Sequence, residues 1–238
     1  MEPEGYIIIP DTHGFLGSVE RLLARLKHDG WLRQRKLVFL GDYVDRGPRV
    51  PELLDLCIAL KQEGHIFLAG NHEYVLSRVI QPDAHHVWVE RWLTCYQEGV
   101  LEVYGVRRRP SDASLKLASR LRDQMPLAHQ EFLAELPLVF EAPGLVCVHA
   151  GLDPEQPLEA QLQMLRTKDI VPLQGPPQLF SHALATLTNP TVDACVVSGH
   201  CIREVPYISA HRILLHGGVE LNGTLNAWIT DARQLVTV

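Results

Sequence analysis

The sequence predicts an α/β protein of strand–loop–helix units whose strands release polar loops at one edge. Two observations carry that reading. Short apolar runs alternate with segments whose apolar residues recur at helical spacing. The runs also end in residues able to hold a cation, and strand carboxyl ends are where open α/β sheets place their ligands. At 238 residues, 46% hydrophobic, the chain can bury a sizeable core, and no linker divides it, so one domain over residues 1–238 is expected.

Tyr6 to Ile9 is the first strand; it ends at Pro10-Asp11-Thr12-His13-Gly14, and Val19, Leu22, Leu23 and Leu26 then follow a helical period. A second strand, Lys36 to Leu40, releases the turn Gly41-Asp42-Tyr43-Val44-Asp45-Arg46-Gly47. Pro51 opens the next helix, carried by Leu53, Leu54, Leu56, Ile58 and Leu60. In the third round His65 to Leu68 is the strand, Gly70-Asn71-His72-Glu73 its loop, and Tyr74 to Ile80 the helix. Such alternation predicts right-handed βαβ units and one mostly parallel sheet.

The rhythm breaks from Gln81 to Leu136, where Trp88, Trp92, Leu93, Tyr96, Leu115, Leu117, Leu121 and Phe132 recur at helical spacings around Gly99 and Gly105. This is expected to be a helical insertion or cap over residues 81–136. Arg107-Arg108-Arg109-Pro110 within it can be read as anion recognition or as a solvated turn. Strands return at Pro137 to Glu141 and Leu145 to Val148, the latter ending in His149-Ala150-Gly151. Helices near Leu158 to Arg166 and Leu179 to Leu187 flank a Pro/Gly-rich stretch from Pro172 to Pro177. Ala194 to Val197 is a strand ending in Gly199-His200, and the tail alternates strands and turns as antiparallel hairpins do.

The net charge of −6 gives no extended basic footprint for a nucleic-acid duplex. The start Met1-Glu2-Pro3-Glu4 is acidic, and no apolar run reaches membrane-spanning length, so no membrane association is expected. Cys57, Cys95, Cys147, Cys195 and Cys201 are odd in number, scattered and without a CxxC pair, which suits reduced thiols and a cytoplasmic location.

Five strand ends offer Asp11 and His13, Asp42, Asn71 and His72, His149, and His200. Any one alone is ordinarily a turn residue or a satisfied core group. Their coincidence argues for metal. Carboxylate, amide and imidazole donors suit transition metals better than an all-oxygen calcium cage, and two ions about 3.5–4 Å apart can clamp an in-line displacement at phosphorus.

At these residues the sequence resembles the PPP-type metallophosphoesterases, with the flavour of their bacterial and phage serine/threonine-phosphatase-like members. The motifs GDxHG, GDxVDRG, GNHE, HAGL and GH are matched in order by Pro10 to Gly14, Gly41 to Gly47, Gly70 to Glu73, His149 to Leu152 and Ser198 to His200; Trp92 to Gly99 echoes a WxxxGG-like segment. The resemblance implies a calcineurin-like four-layer α/β/β/α sandwich with a dinuclear metal centre. By it, Asp11 and His13 hold the first ion, Asp42 bridges both, and Asn71, His149 and His200 hold the second. The ions are two divalent transition metals, manganese first, with iron, zinc, cobalt or nickel as alternatives. A metal-bridging hydroxide attacks phosphorus directly, His72 is the general acid, Asp45 orients it, and Arg46 grips the phosphate with Asn71 beside it. Arg166 stands where those members carry a second phosphate-binding arginine, although the tryptophan of that segment is missing.

Four departures qualify the match, the first being Pro10 where the first motif has glycine. Ala69 stands where protein phosphatases often have arginine before GNHE, Cys201 replaces a threonine, and His216-Gly217-Gly218-Val219 replaces a DTGA segment. His216 is expected to be a strand-end turn residue, with a place near the centre as the alternative, and His85-His86 to be surface. The expected activity is hydrolysis of phosphate monoesters, with phosphoserine or phosphothreonine proteins or peptides, or small phosphate esters, as substrates. Hydrolysis of diadenosine tetraphosphate or another nucleotide is the alternative. A silent binding protein on the same fold would have lost ligands, and none of the six is lost.

Overall fold

The computed structural model describes residues 5–96, 99–109, 112–171, 173–188 and 194–238. The acidic start at residues 1–4, residues 97 and 98 of the Trp92 to Gly99 segment, Pro110 beside the arginine run, and Pro172 lie outside them. The strands are β1 (Gly5–Ile9), β2 (Arg35–Phe39), β3 (Ile66–Phe67), β4 (Val139–Ala142), β5 (Leu145–Val148), β6 (Cys195–Ser198), β7 (Tyr207–Ile208), β8 (Arg212–Leu214), β9 (Asn226–Ile229) and β10 (Gln234–Thr237). The helices are α1 (Leu16–His28), α2 (Val50–Gln62), α3 (Asn71–Val79), α4 (His86–Cys95), α5 (Val100–Val103), α6 (Ser114–Gln124), α7 (Leu127–Glu135), α8 (Leu158–Thr167), α9 (Pro177–Phe180), α10 (His182–Thr186) and α11 (Val219–Asn222).

The strands form two five-stranded sheets, ordered β10-β9-β1-β2-β3 and β4-β5-β6-β8-β7. This bears out the two-sheet sandwich that the resemblance implies and corrects the mostly parallel sheet expected from the strand–helix alternation alone. Each sheet has a parallel core, β1-β2-β3 in one and β5-β6-β8 in the other, with antiparallel strands at its edges. The tail strands separate: β8 joins β6, whereas β9 returns to pair antiparallel with β1, Ile8 opposite Trp228.

Alternation along each strand builds the layers. Ile7, Ile9, Leu37 and Phe39 point to the helices, in one core with Val19, Leu22, Leu26, Leu53 and Leu54. Ile8, Val38, Leu40 and Leu68 face the other way, onto Leu145, Cys147, Val197 and Ile213 of the second sheet. Both strand faces are therefore buried, which is why the runs read as continuously apolar. Each such side chain contributes about 1.5–3 kcal/mol of burial.

Between α3 and β4, helices α4 to α7 join the main core through Trp88, Trp92, Leu101, Leu121, Phe132 and Leu133. The Phe132 ring meets Phe67 and Tyr43 at 5.8 and 6.1 Å, so α7 is anchored on the first sheet. Since β1, β2 and β3 run parallel, as do β5, β6 and β8, each set delivers its carboxyl ends to one sheet edge, where the polar loops begin.

Candidate metal centre

Asp42 stands in the middle of the polar cluster. Its Oδ2 lies 3.6 Å from Nε2 of His13, 3.8 Å from Nε2 of His72 and 3.4 Å from Nε2 of His149. Two of these imidazoles are locked by backbone: Nδ1 of His13 donates to the Val44 carbonyl and Nδ1 of His149 to the Leu40 carbonyl, both at 2.9 Å. Each therefore turns Nε2 inward, the nitrogen that a metal ligand must present. Nε2 of His149 also lies 2.9 Å from Oδ1 of Asn71 and 3.1 Å from Nδ1 of His200. Asp11 anchors the far side, its two oxygens accepting the His200 N–H at 3.0 and 3.2 Å.

Close backbone approach makes this geometry. A Cβ on Gly70 would fall 2.0 Å from Oδ1 of Asp42, and one on Gly199 would fall 2.0 Å from Oδ1 of Asp11. Left-handed φ values at His13 (41°), Asp42 (55°), Asp45 (66°), Arg46 (64°) and His200 (64°) concentrate here. Such conformers cost on the order of 1–3 kcal/mol each and need support from around them. Glu73 supplies much of it: buried in the first turn of α3, its carboxylate accepts the N–H groups of Asp42, Tyr43, Val44 and Gly70 at 2.7 to 3.0 Å. One side chain thus ties the β2 loop to the β3 loop.

His72, at the start of α3, donates through Nδ1 to Oδ2 of Asp45 at 2.6 Å. Burial lowers the His72 pKa, but the Asp42 and Asp45 carboxylates outweigh it and raise the group to about 9. Burial pushes Asp45 up to about 6 against its bond to His72. His149 is raised to about 9, because Asp42 outweighs burial. Burial, the largest cause in each, takes His13 and His200 down to about 4.

The cluster brings together Asp11, His13, Asp42, Asp45, Asn71, His72, His149 and His200. Arg46 reaches its rim and forms an ion pair with Glu220. Arg166 is not brought in. From α8 its guanidinium bonds Glu141 on β4 through Nε and Nη2 at 2.7 and 2.6 Å, and Glu159 through Nη1 at 2.6 Å. Two carboxylates, Glu141 and Glu159, hold the guanidinium that the resemblance assigns to phosphate. Arg107 to Arg109, His85 and His86 are exposed.

His216 follows β8 and is buried beside the cluster, which overturns the turn-residue expectation and bears out its alternative. Its Nε2 lies 3.8 Å from Oδ2 of Asp11 and 3.3 Å from Oε1 of Glu220. Its Nδ1 accepts the Gly218 N–H at 3.5 Å. That places the proton of the neutral ring on Nε2, opposite to His13 and His149, and makes His216 a donor to Glu220. Sequence reasoning gave Glu73, Glu220 and Tyr96 no role. Glu220 bridges Arg46 and His216, and the Tyr96 ring meets the His72 ring edge-on at 4.9 Å. The only sequence signal for Glu220 is its place four residues after His216.

Among the described residues, three of the donor groups within reach of single ions lie in the cluster: Asp11, His13 and His216; His13, Asp42 and His72; and Asp42, His149 and His200, the ligand atoms of each lying within 4.8 Å of one another. Inward imidazole lone pairs around a shared carboxylate fit divalent transition metals.

A two-sheet sandwich with this donor set at its strand ends defines a metal-dependent phosphoesterase scaffold. The chain belongs to the calcineurin-like phosphoesterase family, whose model matches residues 6–218; that family uses a dinuclear divalent metal centre. A serine/threonine-protein phosphatase of Caenorhabditis elegans is 28% identical over 149 residues, 61% of this chain and 26% of that relative. The chain spans less than a third of the length of the curated relatives it matches. Among solved structures, a "putative diadenosine tetraphosphatase" has a TM-score of 0.63 at 20% identity, with 99% of this chain and 95% of that one covered. A protein serine/threonine phosphatase from Saccharomyces cerevisiae has a TM-score of 0.57 at 16% identity, with 100% and 80% covered. At these identities the likeness shows the fold alone. Among the described residues no helix is long and apolar enough to cross a membrane.

Proposed function

We propose that this chain is a metal-dependent phosphoesterase that hydrolyses phosphate monoesters, acting on phosphoserine or phosphothreonine in proteins or peptides. The observation that carries the reading is Asp42 at 3.4 to 3.8 Å from three imidazole nitrogens. Asp11, His13 and Asp42 would hold one ion; Asp42, Asn71, His149 and His200 would hold the other. Manganese is the first choice, with iron, zinc, cobalt or nickel as alternatives. When bound, the pair supplies Lewis-acid stabilisation of phosphoryl oxygens and acidifies bound water.

The remaining chemistry belongs to side chains. His72 carries a proton on Nε2 at neutral pH and presents it to the leaving oxygen, while Asp45 fixes the ring through Nδ1. Arg46 pairs with Glu220 through one Nη, leaving the rest of its fork for phosphate oxygens. We place the reaction in the cytoplasm, in keeping with the scattered free thiols. We treat residues 1–238 as one domain with a helical cap at 81–136, in keeping with the core those helices share with both flanking elements.

A second reading, hydrolysis of diadenosine tetraphosphate or another nucleotide, is favoured by Ala69, which stands where protein phosphatases often have arginine before the Gly70-Asn71-His72-Glu73 loop, and by the pairing of Arg166 with Glu141 and Glu159. The test is kcat/KM with manganese on phosphoserine peptides and on diadenosine tetraphosphate. A preference for the peptide of about tenfold or more supports the first reading; the reverse preference replaces it with the second.

A further inference from the structure

His182 and Cys201 take no part in the chemistry above, yet they stand against one of its ligands. His182 begins α10 and is exposed, and Cys201 follows His200 directly. Sγ of Cys201 lies 3.4 Å from Nδ1 of His182, and the His182 ring centroid is 4.9 Å from that of His200. One donor atom from each of the three residues lies within 4.8 Å of the other two. His200 commits Nδ1 to the centre, 3.1 Å from Nε2 of His149; its other nitrogen, Nε2, is buried and has no hydrogen-bond partner. The peptide that carries the ring is fixed in the left-handed region, φ 64°, by Asp11.

The donor set differs in kind from that of the centre. Carboxylate, amide and imidazole suit manganese; one sulfur and two imidazoles suit thiophilic ions. Zinc–nitrogen and zinc–sulfur bonds of about 2.0 and 2.3 Å at tetrahedral angles put nitrogen and sulfur donors about 3.5 Å apart. The Cys201 to His182 separation of 3.4 Å already has that value. Three protein donors leave a fourth position for water.

We propose that His182, His200 and Cys201 form a third cation site, selective for zinc or cadmium, that draws on the imidazole shared with the second catalytic ion and so inhibits the phosphoesterase. On binding, the Cys201 thiol gives its proton to solvent and its sulfur bonds the ion, while the His200 ring proton passes from Nε2 to Nδ1 through solvent, so that Nε2 bonds the ion and Nδ1 is withdrawn from the centre, with no change in oxidation state. The inhibitory half rests on the proposed phosphoesterase function; the binding half stands without it.

The test uses the full chain loaded with manganese. Cobalt, as a spectroscopic stand-in for zinc, is titrated while the near-ultraviolet thiolate-to-cobalt charge-transfer band is followed, and zinc inhibition of p-nitrophenyl phosphate hydrolysis is measured in parallel. The band is expected in the wild type, absent in Cys201→Ser and weakened at least about tenfold in apparent affinity in His182→Ala. Both variants are expected to keep the manganese-supported rate and to need about tenfold more zinc for half-inhibition. No band in the wild type, a band that survives Cys201→Ser, or unchanged zinc sensitivity in both variants overturns the proposal. A wild type that shows the band but hydrolyses nothing with manganese refutes the phosphoesterase reading and the inhibitory half, and leaves the binding site standing.

Discussion

Nδ1 of His72 lies 2.6 Å from Oδ2 of Asp45, and the two buried groups titrate apart, Asp45 at about 6 and His72 at about 9. At neutral pH they are therefore an ion pair, with the imidazolium proton on the side facing Asp42. Two of the carboxylates that hold this proton, Asp42 and Asp45, arrive on the same turn, released by β2.

Asp45→Asn removes one of the charges that keep His72 protonated. The expected result is a fall in kcat of roughly 10²-fold, with metal content unchanged. The sign of the pH effect is fixed: the wild-type rate falls as pH rises through the His72 pKa, and without the Asp45 charge that alkaline limb moves to lower pH. A kcat/KM profile checks this. An unmoved limb removes Asp45 from its role.

Metal binding has a proton cost confined to one ligand. His13 and His200, taken down to about 4, are neutral at pH 7, whereas His149, raised to about 9, must release a proton before Nε2 can bind an ion. The manganese affinity of the metal-free protein should therefore rise about tenfold per pH unit from pH 7 to about 9 and then level. Calorimetry in buffers of differing ionisation enthalpy should show about one proton released. Affinity independent of pH in that window contradicts the assignment of His149.

Glu220 positions Arg46 and is itself held at about 2, since its bond to His216 and the His216 charge outweigh the upward push of burial. Glu220→Gln leaves the arginine charge in place but loosens its direction. A partly exposed pair of this kind contributes up to about 1 kcal/mol, so KM for p-nitrophenyl phosphate should rise about two- to fivefold with little change in kcat. A fall in kcat without a rise in KM assigns Glu220 elsewhere.

The five strand-end motifs were legible because each is local: an apolar run, a turn and a ligand within a few residues. Pairing partners were not. Periodicity shows that Ile8 and Ile9 face opposite ways, but nothing in Asn226–Ile229 announces that it returns to β1 while Arg212–Leu214 joins β6. Half of Glu73's role is visible, as the third residue of a helix whose N-cap is Gly70; its bonds to Asp42, Tyr43 and Val44 exist only once β2 and β3 are neighbours. Arg166 shows the converse: its position in a motif is local, but Glu141, which captures it, comes from a strand 25 residues earlier.

Arg212 on β8 is a structural hub that sequence reasoning passed over. The buried guanidinium donates to the carbonyls of Ala150, Leu184, Leu187, Val196 and Ile213 and to Oγ of Ser198, joining the loop after β5 to α10 and β6. Arg212→Leu should cost about 3 kcal/mol by leaving those acceptors unpaired. Urea unfolding of the metal-free protein checks it; an unchanged midpoint denies the hub.

The central claim, that the Asp42 cluster works as a two-metal phosphoesterase centre, is tested most directly by p-nitrophenyl phosphate hydrolysis after exhaustive chelation and stepwise return of manganese. The predicted result is loss of activity on chelation and recovery that saturates at about two equivalents of metal per chain. Full activity in the chelated protein would contradict the account.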